Sequence, residues 1–121
     1  MLIPDLKNCE EFIAADGAIL RELLHPDKMD IALRYSLAHA IVRPGNTSFP
    51  HRLTTSEVYY IIGGEGVMHI NNETEKVHAG QAIYIPPHAI QFIHNPGRGD
   101  LVFICIVDPA WRAENEEIIG R

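Results

Sequence analysis

Short apolar stretches separated by turn-forming residues run along the whole chain. Asp16-Gly17, His25-Pro26, Pro44-Gly45, Gly63-Gly64-Glu65-Gly66, Asn71-Asn72, Ala79-Gly80, Pro86-Pro87 and Asn95-Pro96-Gly97 each interrupt regular structure. Between them lie segments rich in Ile, Val, Tyr and Phe, at 58–62, 82–85, 90–93 and 101–107. Short strands at this spacing predict an all-β sandwich or barrel, not alternating strands and helices. Segment 101–107, LVFICIV, is apolar at both parities. A strand apolar on both faces is buried on both, so this one is expected at the centre of a sheet. Segment 58–62 reads the same way. Segment 18–24 contains helix formers, yet Ile19, Arg21 and Leu23 alternate with Ala18, Leu20 and Glu22, and it is read as a strand. Asn71-Asn72 is expected to supply the two positive-φ residues of a tight hairpin. Pro96-Gly97 is expected to form the centre of a type II turn before Leu101. Helix is expected only at the C-terminal end. There Asp108 would cap it, Pro109 would take its first position, and 110–119 would follow with Trp111, Ile118 and Ile119 as anchors.

Composition narrows the picture. With 121 residues, 46% hydrophobic and 21% charged, the chain reads as one folded domain over 1–121 and not as a disordered segment. Ten Lys and Arg against 16 Asp and Glu give a formal charge of −6. That argues against a nucleic-acid partner, which needs a basic patch. The longest apolar run is far short of the roughly 20 residues of a membrane helix, so no membrane partner is expected. The N-terminal residues MLIPDLKNCE lack a basic start followed by an apolar stretch, so no signal peptide is read there. Cys9 and Cys105 form no C-x-x-C pair, and Cys105 is expected to be a free core thiol. A cytoplasmic location follows from these readings. Seven histidines raise the question of a metal.

The residues that focus that question are His51, Leu53 and Glu57. They share parity, but six extended residues span roughly 20 Å. His51 and Glu57 can therefore share a site only if the chain reverses between them, and Thr54-Thr55-Ser56 is polar and turn-compatible. Two adjacent strand ends result, His51 on one and Glu57 opening the next.

The spacing Gly45, five residues, His51, one residue, Leu53, three residues, Glu57, six residues, Gly64 resembles the first motif of the cupins, G-x5-H-x-H-x3–4-E-x6-G. Gly80, five residues, Pro86, one residue, His88, two residues, Gln91, three residues, Asn95 resembles the second, G-x5-P-x-G-x2-H-x3-N. The motifs cover 45–64 and 80–95. The resemblance implies a single jelly-roll β-barrel with a ligand pocket inside and, as a rule, a homodimer. It also implies that the metal-ligand positions of the family fall on His51, Leu53, Glu57 and Gln91. Leucine cannot ligate, and glutamine ligates only through a neutral oxygen. The candidate metal set is therefore His51, Glu57 and Gln91, a hard, open site for a divalent ion of Zn, Mn or Fe type. Such an ion would act as a Lewis acid on a carbonyl, carboxylate or hydroxyl of a small polar metabolite, in isomerase-, lyase- or dioxygenase-type chemistry.

Two other readings stand beside it. One is a metal-free binding module for a small carbohydrate or carboxylate, with His51 bonded to Glu57 and with Tyr59 and Gln91 orienting the ligand. The other is a structural dimer whose interior is filled by Leu53, Ile61 and Phe103. Tyr59 shares the inward parity of Glu57 and is the candidate catalytic hydroxyl. Its bland alternative is a barrel-filling aromatic. Trp111 is read as a cover for the pocket mouth or as an anchor. His25, His39, His69, His78, His88 and His94 are read as surface or hydrogen-bonded histidines, with His88 and His94 opposite in parity to Gln91.

Overall fold

Strand β10 (Leu101–Asp108) organises the molecule, which is described for residues 1–120 in a computed structural model. Leu101, Phe103, Cys105 and Val107 face inward and are buried, while the alternate residues on the other face are half-buried. It lies between β3 (Ser36–Val42) and β5 (Ser56–Gly63) and pairs antiparallel with both. The same sheet continues through β2 (Ile19–Leu24) to β1 (Glu11–Ile13) on one side and to β8 (Ala82–Ile85) on the other. Its order is β1-β2-β3-β10-β5-β8. A second sheet, β11-β4-β9-β6-β7, combines β11 (Glu116–Ile118), β4 (His51–Leu53), β9 (Gln91–His94), β6 (Glu65–Ile70) and β7 (Glu73–His78). Every strand pair is antiparallel. The two sheets bury Ile61, Met68, Ile85, Ile93, Leu101 and Phe103 between them. This is the all-β architecture the turn punctuation pointed to and the jelly-roll barrel the motif resemblance implied, and the segment read as a strand at 18–24 supplies β2.

The C-terminal end departs from expectation. Residues 113–115 make a single turn of 3-10 helix and the chain then becomes strand β11, so no longer helix forms over 110–119. Tertiary pairing overrides the local propensity. Glu116 pairs with Leu53 and Ile118 with His51, while the Asn115 carbonyl accepts from Thr54 N at 2.9 Å. Arg121 lies outside the described residues.

The turns also differ in detail. Asn71–Asn72 joins β6 to β7, with Ile70 opposite Glu73, but of the pair Asn71 alone has positive φ, at 53°. Gly97 has no positive φ, so the turn before β10 is not type II. The buried Asn95 side chain shapes it instead. Its Oδ1 accepts from Gly97 N at 2.9 Å, and its Nδ2 donates to Val42 O at 2.8 Å and Gly99 O at 2.9 Å. The Asn95 backbone meets Gly45 and Asn46, so the end of the second motif is tied to the start of the first. His88, where the second motif calls for glycine, has φ 69°, which accounts for glycine at that position elsewhere.

Gly45 and Gly64, which bound the first motif, both have positive φ, 78° and 82°. A Cβ on Gly45 would meet nothing within 4 Å, whereas one on Gly64 would stand 2.5 Å from Asp100 O. Gly45→Ala is expected to cost only the left-handed strain, about 1–2 kcal/mol. Gly64→Ala is expected to cost clearly more, because backbone must move. Urea unfolding of the two variants checks this, and equal losses would contradict it.

Candidate active site

The turn at 54–55 sends the chain from one sheet to the other, so His51 enters from the second sheet and Glu57 from the first. Both are buried and both line one cavity of about 260 Å³ inside the barrel. Leu53, Ile61 and Phe103 are buried too, yet they do not fill it. The small side chains of Ala18, Ala38 and Ala40 leave the room, and Leu20, Phe103, Cys105 and Val107 complete an apolar wall.

His51 Nδ1 lies 2.7 Å from the Phe49 carbonyl. A carbonyl only accepts, so Nδ1 carries a proton and donates it. This fixes the ring and leaves Nε2 beside the cavity, 3.6 Å from Asp16 Oδ2. His51 and Glu57 are not hydrogen-bonded to each other. Glu57 Oε1 instead accepts from Gln91 Nε2 at 2.9 Å, and Gln91 Oε1 accepts from the Tyr59 hydroxyl at 3.0 Å. Tyr59 is held against Phe103, with ring centroids 4.4 Å apart. The chain Tyr59–Gln91–Glu57 therefore bridges the two sheets with every amide atom of Gln91 facing a partner in one direction or the other. Gln91 pairs opposite His51 in the sheet but stands behind Glu57 and Tyr59, outside the cavity lining.

The electrostatics follow from burial. Glu57 is pushed up to about 8, first by its removal from water and then by the nearby Asp16 and Glu116 carboxylates, against the stabilising Gln91 bond. It is a neutral acid over most of the neutral range. Burial also pushes the Tyr59 hydroxyl and the Cys105 thiol well up, so both stay protonated. Cys105 is a free, buried thiol, in line with its reading from sequence.

Two acidic residues that sequence reasoning did not single out as chemistry complete the lining. Asp16 sits in the turn between β1 and β2, where its Oδ1 accepts from Ala18 N at 3.1 Å. Glu116 opens β11, and burial raises its pKa, with His51 opposing. The Asp16-Gly17 pair carried only a turn signal, and Glu116 lay in the segment read as helix. Trp111 lines the mouth, as do Phe12, Ile13 and a Lys28–Glu22 ion pair at 2.5 Å. The remaining histidines are spent elsewhere. His25 bonds Trp111 O and Asp27 N, His94 faces Thr47, His69 faces Thr74, and His88 is exposed. His39 lies on the outer face of β3.

The cupin domain family pattern matches residues 38–107. This chain belongs to the cupin family. It is 40% identical over 109 residues to an uncharacterized protein of Methanocaldococcus jannaschii, covering 89% of this chain and 86% of that one. Among solved structures it is similar to the polyketide cyclase RemF from Streptomyces resistomycificus. The TM-score there is 0.83 at 20% identity, over 100% of this chain and 87% of that one. It is also similar to Pac13 of Streptomyces, described as a nucleoside dehydratase, with TM-score 0.78 at 20% identity, over 99% and 92% of the two chains. At these identities the structures establish the shared barrel. Among the described residues, no helix is long and apolar enough to cross a membrane.

The cupin ligand positions can be tested against a divalent ion on their own chemistry. Leu53 has no donor atom. Gln91 has committed its oxygen to Tyr59 and its nitrogen to Glu57. Glu57 has one oxygen committed to Gln91. His51 Nε2 and the other Glu57 oxygen are left, two donors where a held ion takes at least three protein ligands. Among the described residues, no three His, Cys, Asp or Glu side chains form a metal-holding group. As arranged, the set does not fit a divalent ion.

The elevated Glu57 gives a stability prediction. An unfolded glutamate releases its proton near 4.5, while folded Glu57 keeps it to about 8. Between these values the folded state binds the extra proton, so stability falls as pH rises through the window. The stabilising contribution is complete below about 4.5 and lost above about 8. Glu57→Gln keeps the acceptor for Gln91 and removes the titration. Relative to that variant, wild type should lose stability at a limiting slope of about 1.4 kcal/mol per pH unit. Parallel slopes in chemical denaturation from pH 5 to 8 would refute the assignment.

Proposed function

We propose that the barrel is a metal-independent acid–base site for a small polar metabolite, with chemistry of the lyase or isomerase type. The observation that carries it is the pairing, around one cavity, of a neutral carboxyl acid with an imidazole whose Nε2 is free to take a proton. Glu57 would give its proton to a departing or rearranging oxygen of the ligand. His51 Nε2 would accept one from an adjacent carbon or hydroxyl. Gln91 holds the Glu57 carboxyl in place, and Tyr59, expected from sequence as the catalytic hydroxyl, acts here as a positioning residue through Gln91. The names of the two structural neighbours, a dehydratase and a cyclase, support this direction.

The rival reading places a Zn, Mn or Fe type ion on His51, Glu57 and Gln91. It is favoured by the His51 ring, which is oriented through Nδ1 in the manner of a metal ligand. It requires Gln91 to leave both its partners. One experiment separates the two. The untagged protein is incubated with a panel of small hydroxylated carbonyl compounds in D2O, and solvent deuterium in the products is read by mass spectrometry. Activity should survive chelation, fall above about pH 8 as Glu57 ionises, and drop about 10²–10⁴-fold in Glu57→Gln and His51→Asn. Loss on chelation with recovery on adding one of these ions, and metal bound to wild type but not to Glu57→Gln, would establish the metal reading instead.

The protein is also proposed to be a homodimer in a reducing, cytoplasmic setting, which both free thiols suit. Support for the dimer is the outer face of the six-stranded sheet. Tyr60, Ile62 and Tyr84 are 47%, 49% and 64% exposed there, beside half-buried Val58, Ile104 and Ile106. Ile62→Glu with Tyr84→Glu is expected to give a folded monomer in analytical ultracentrifugation, whereas an unchanged mass would place any interface elsewhere.

A further inference from the structure

The charges around the cavity are one-sided. Asp16, Glu22, Glu57 and Glu116 line it, against Lys28 and His51. Lys28 is committed to Glu22 at 2.5 Å, and the His51 Nε2 faces Asp16. Glu57 is held at the inner wall by Gln91. The remaining carboxylates, Asp16 and Glu116, enter from opposite ends of the chain and flank His51, and Glu116 also takes a hydrogen bond from Trp111. Asp16 Oδ1 is fixed by Ala18 N, while Oδ2 has only the 3.6 Å approach of His51. His51 itself is 2% exposed and its Nε2 has no hydrogen-bond partner among the described residues. The cavity thus holds His51 Nε2, which makes no hydrogen bond among the described residues, together with two acidic side chains and walls of Ala, Leu, Phe and Val.

Such a lining discriminates by charge. A phosphate or carboxylate brought to His51 would lie against Asp16 and Glu116, with no free cation to meet it. Like charge in a partly desolvated site weakens binding strongly. A protonated amine gains both carboxylates, and the Trp111 ring lies at the same mouth to receive a cation. The net charge of −6 adds a long-range bias in the same direction.

We propose that this site selects ligands carrying a protonated amine next to a compact apolar body, recognised by Asp16 and Glu116, and rejects carboxylates and phosphates. The proposal takes the location of the site from the acid–base reading and adds the ligand class.

The test uses three probes of one shape, 2-phenylethylamine, 2-phenylethanol and phenylacetate, titrated at pH 7 with NMR detection of the His51 ring and calorimetry. The amine should bind about tenfold more tightly than the alcohol, with phenylacetate weakest. Asp16→Asn keeps the Oδ1 acceptor for Ala18 N, and Glu116→Gln keeps the shape of its side chain. Together these two substitutions should erase the order while the variant still unfolds in one cooperative thermal transition. The order should persist in Glu57→Gln, where acid–base turnover is lost, so failure of the chemistry and failure of the selectivity are read separately. Phenylacetate binding as tightly as the amine, an order that survives the double variant, or silence of all three probes at the His51 ring would each overturn it.

Discussion

One hydrogen bond sets the character of the interior. Gln91 Nε2 holds Glu57 Oε1 at 2.9 Å across the space between the two sheets. A carboxyl taken out of water must be paired, coordinated or neutral. A lone amide offers too little to keep it charged. The group keeps its proton instead, and burial outweighs the amide in setting where it titrates. Tyr59 completes the chain from the same strand as Glu57, two residues on, where strand parity turns both side chains inward. The Gln91 amide can serve both only because β9 runs in the opposite sheet, directly beside β4 and His51.

What the chain announced most clearly was architecture. LVFICIV at 101–107 is apolar at both parities, and β10 is central with two antiparallel partners. The motif residues were readable for a physical reason: Gly64 must be glycine against Asp100 O, and the Asn95 side chain satisfies three backbone groups at its turn. The C-terminal segment was misread because its residues favour a helix locally. The edge of β4 offered Glu116 and Ile118 a pairing that no window of sequence contains. Pro96-Gly97 was misread for a related reason, since the Asn95 side chain closes that turn through a bond that dipeptide rules do not include.

The site was legible in part. His51, Glu57 and Tyr59 reach the cavity because spacing and parity are short-range facts. Asp16 and Glu116 reach it because two chain ends converge on it, and nothing near either residue marks that convergence. Gln91 illustrates the limit of position. It occupies the place in the motif where a histidine would ligate, and it pairs with the right strand, yet its side chain is used to grip Glu57 and not to face the cavity.

The replacements at 53 and 91 work together. With leucine at 53 and a neutral amide at 91, the inner wall loses the imidazole nitrogens that would draw a cation to Glu57. Among the described side chains the Gln91 amide is what bonds Glu57, and burial raises its affinity for a proton. The same change leaves His51 without a fellow ligand, so its Nε2 is available and its nearest charge is Asp16. In the acid–base reading proposed above, the glutamate holds a proton and His51 is the base across from it. The histidine surplus of the chain has no part in this. The other six are hydrogen-bonded, exposed or on the outer face, and among the described residues the histidine that lines the cavity is His51, whose Nδ1 is tied to Phe49.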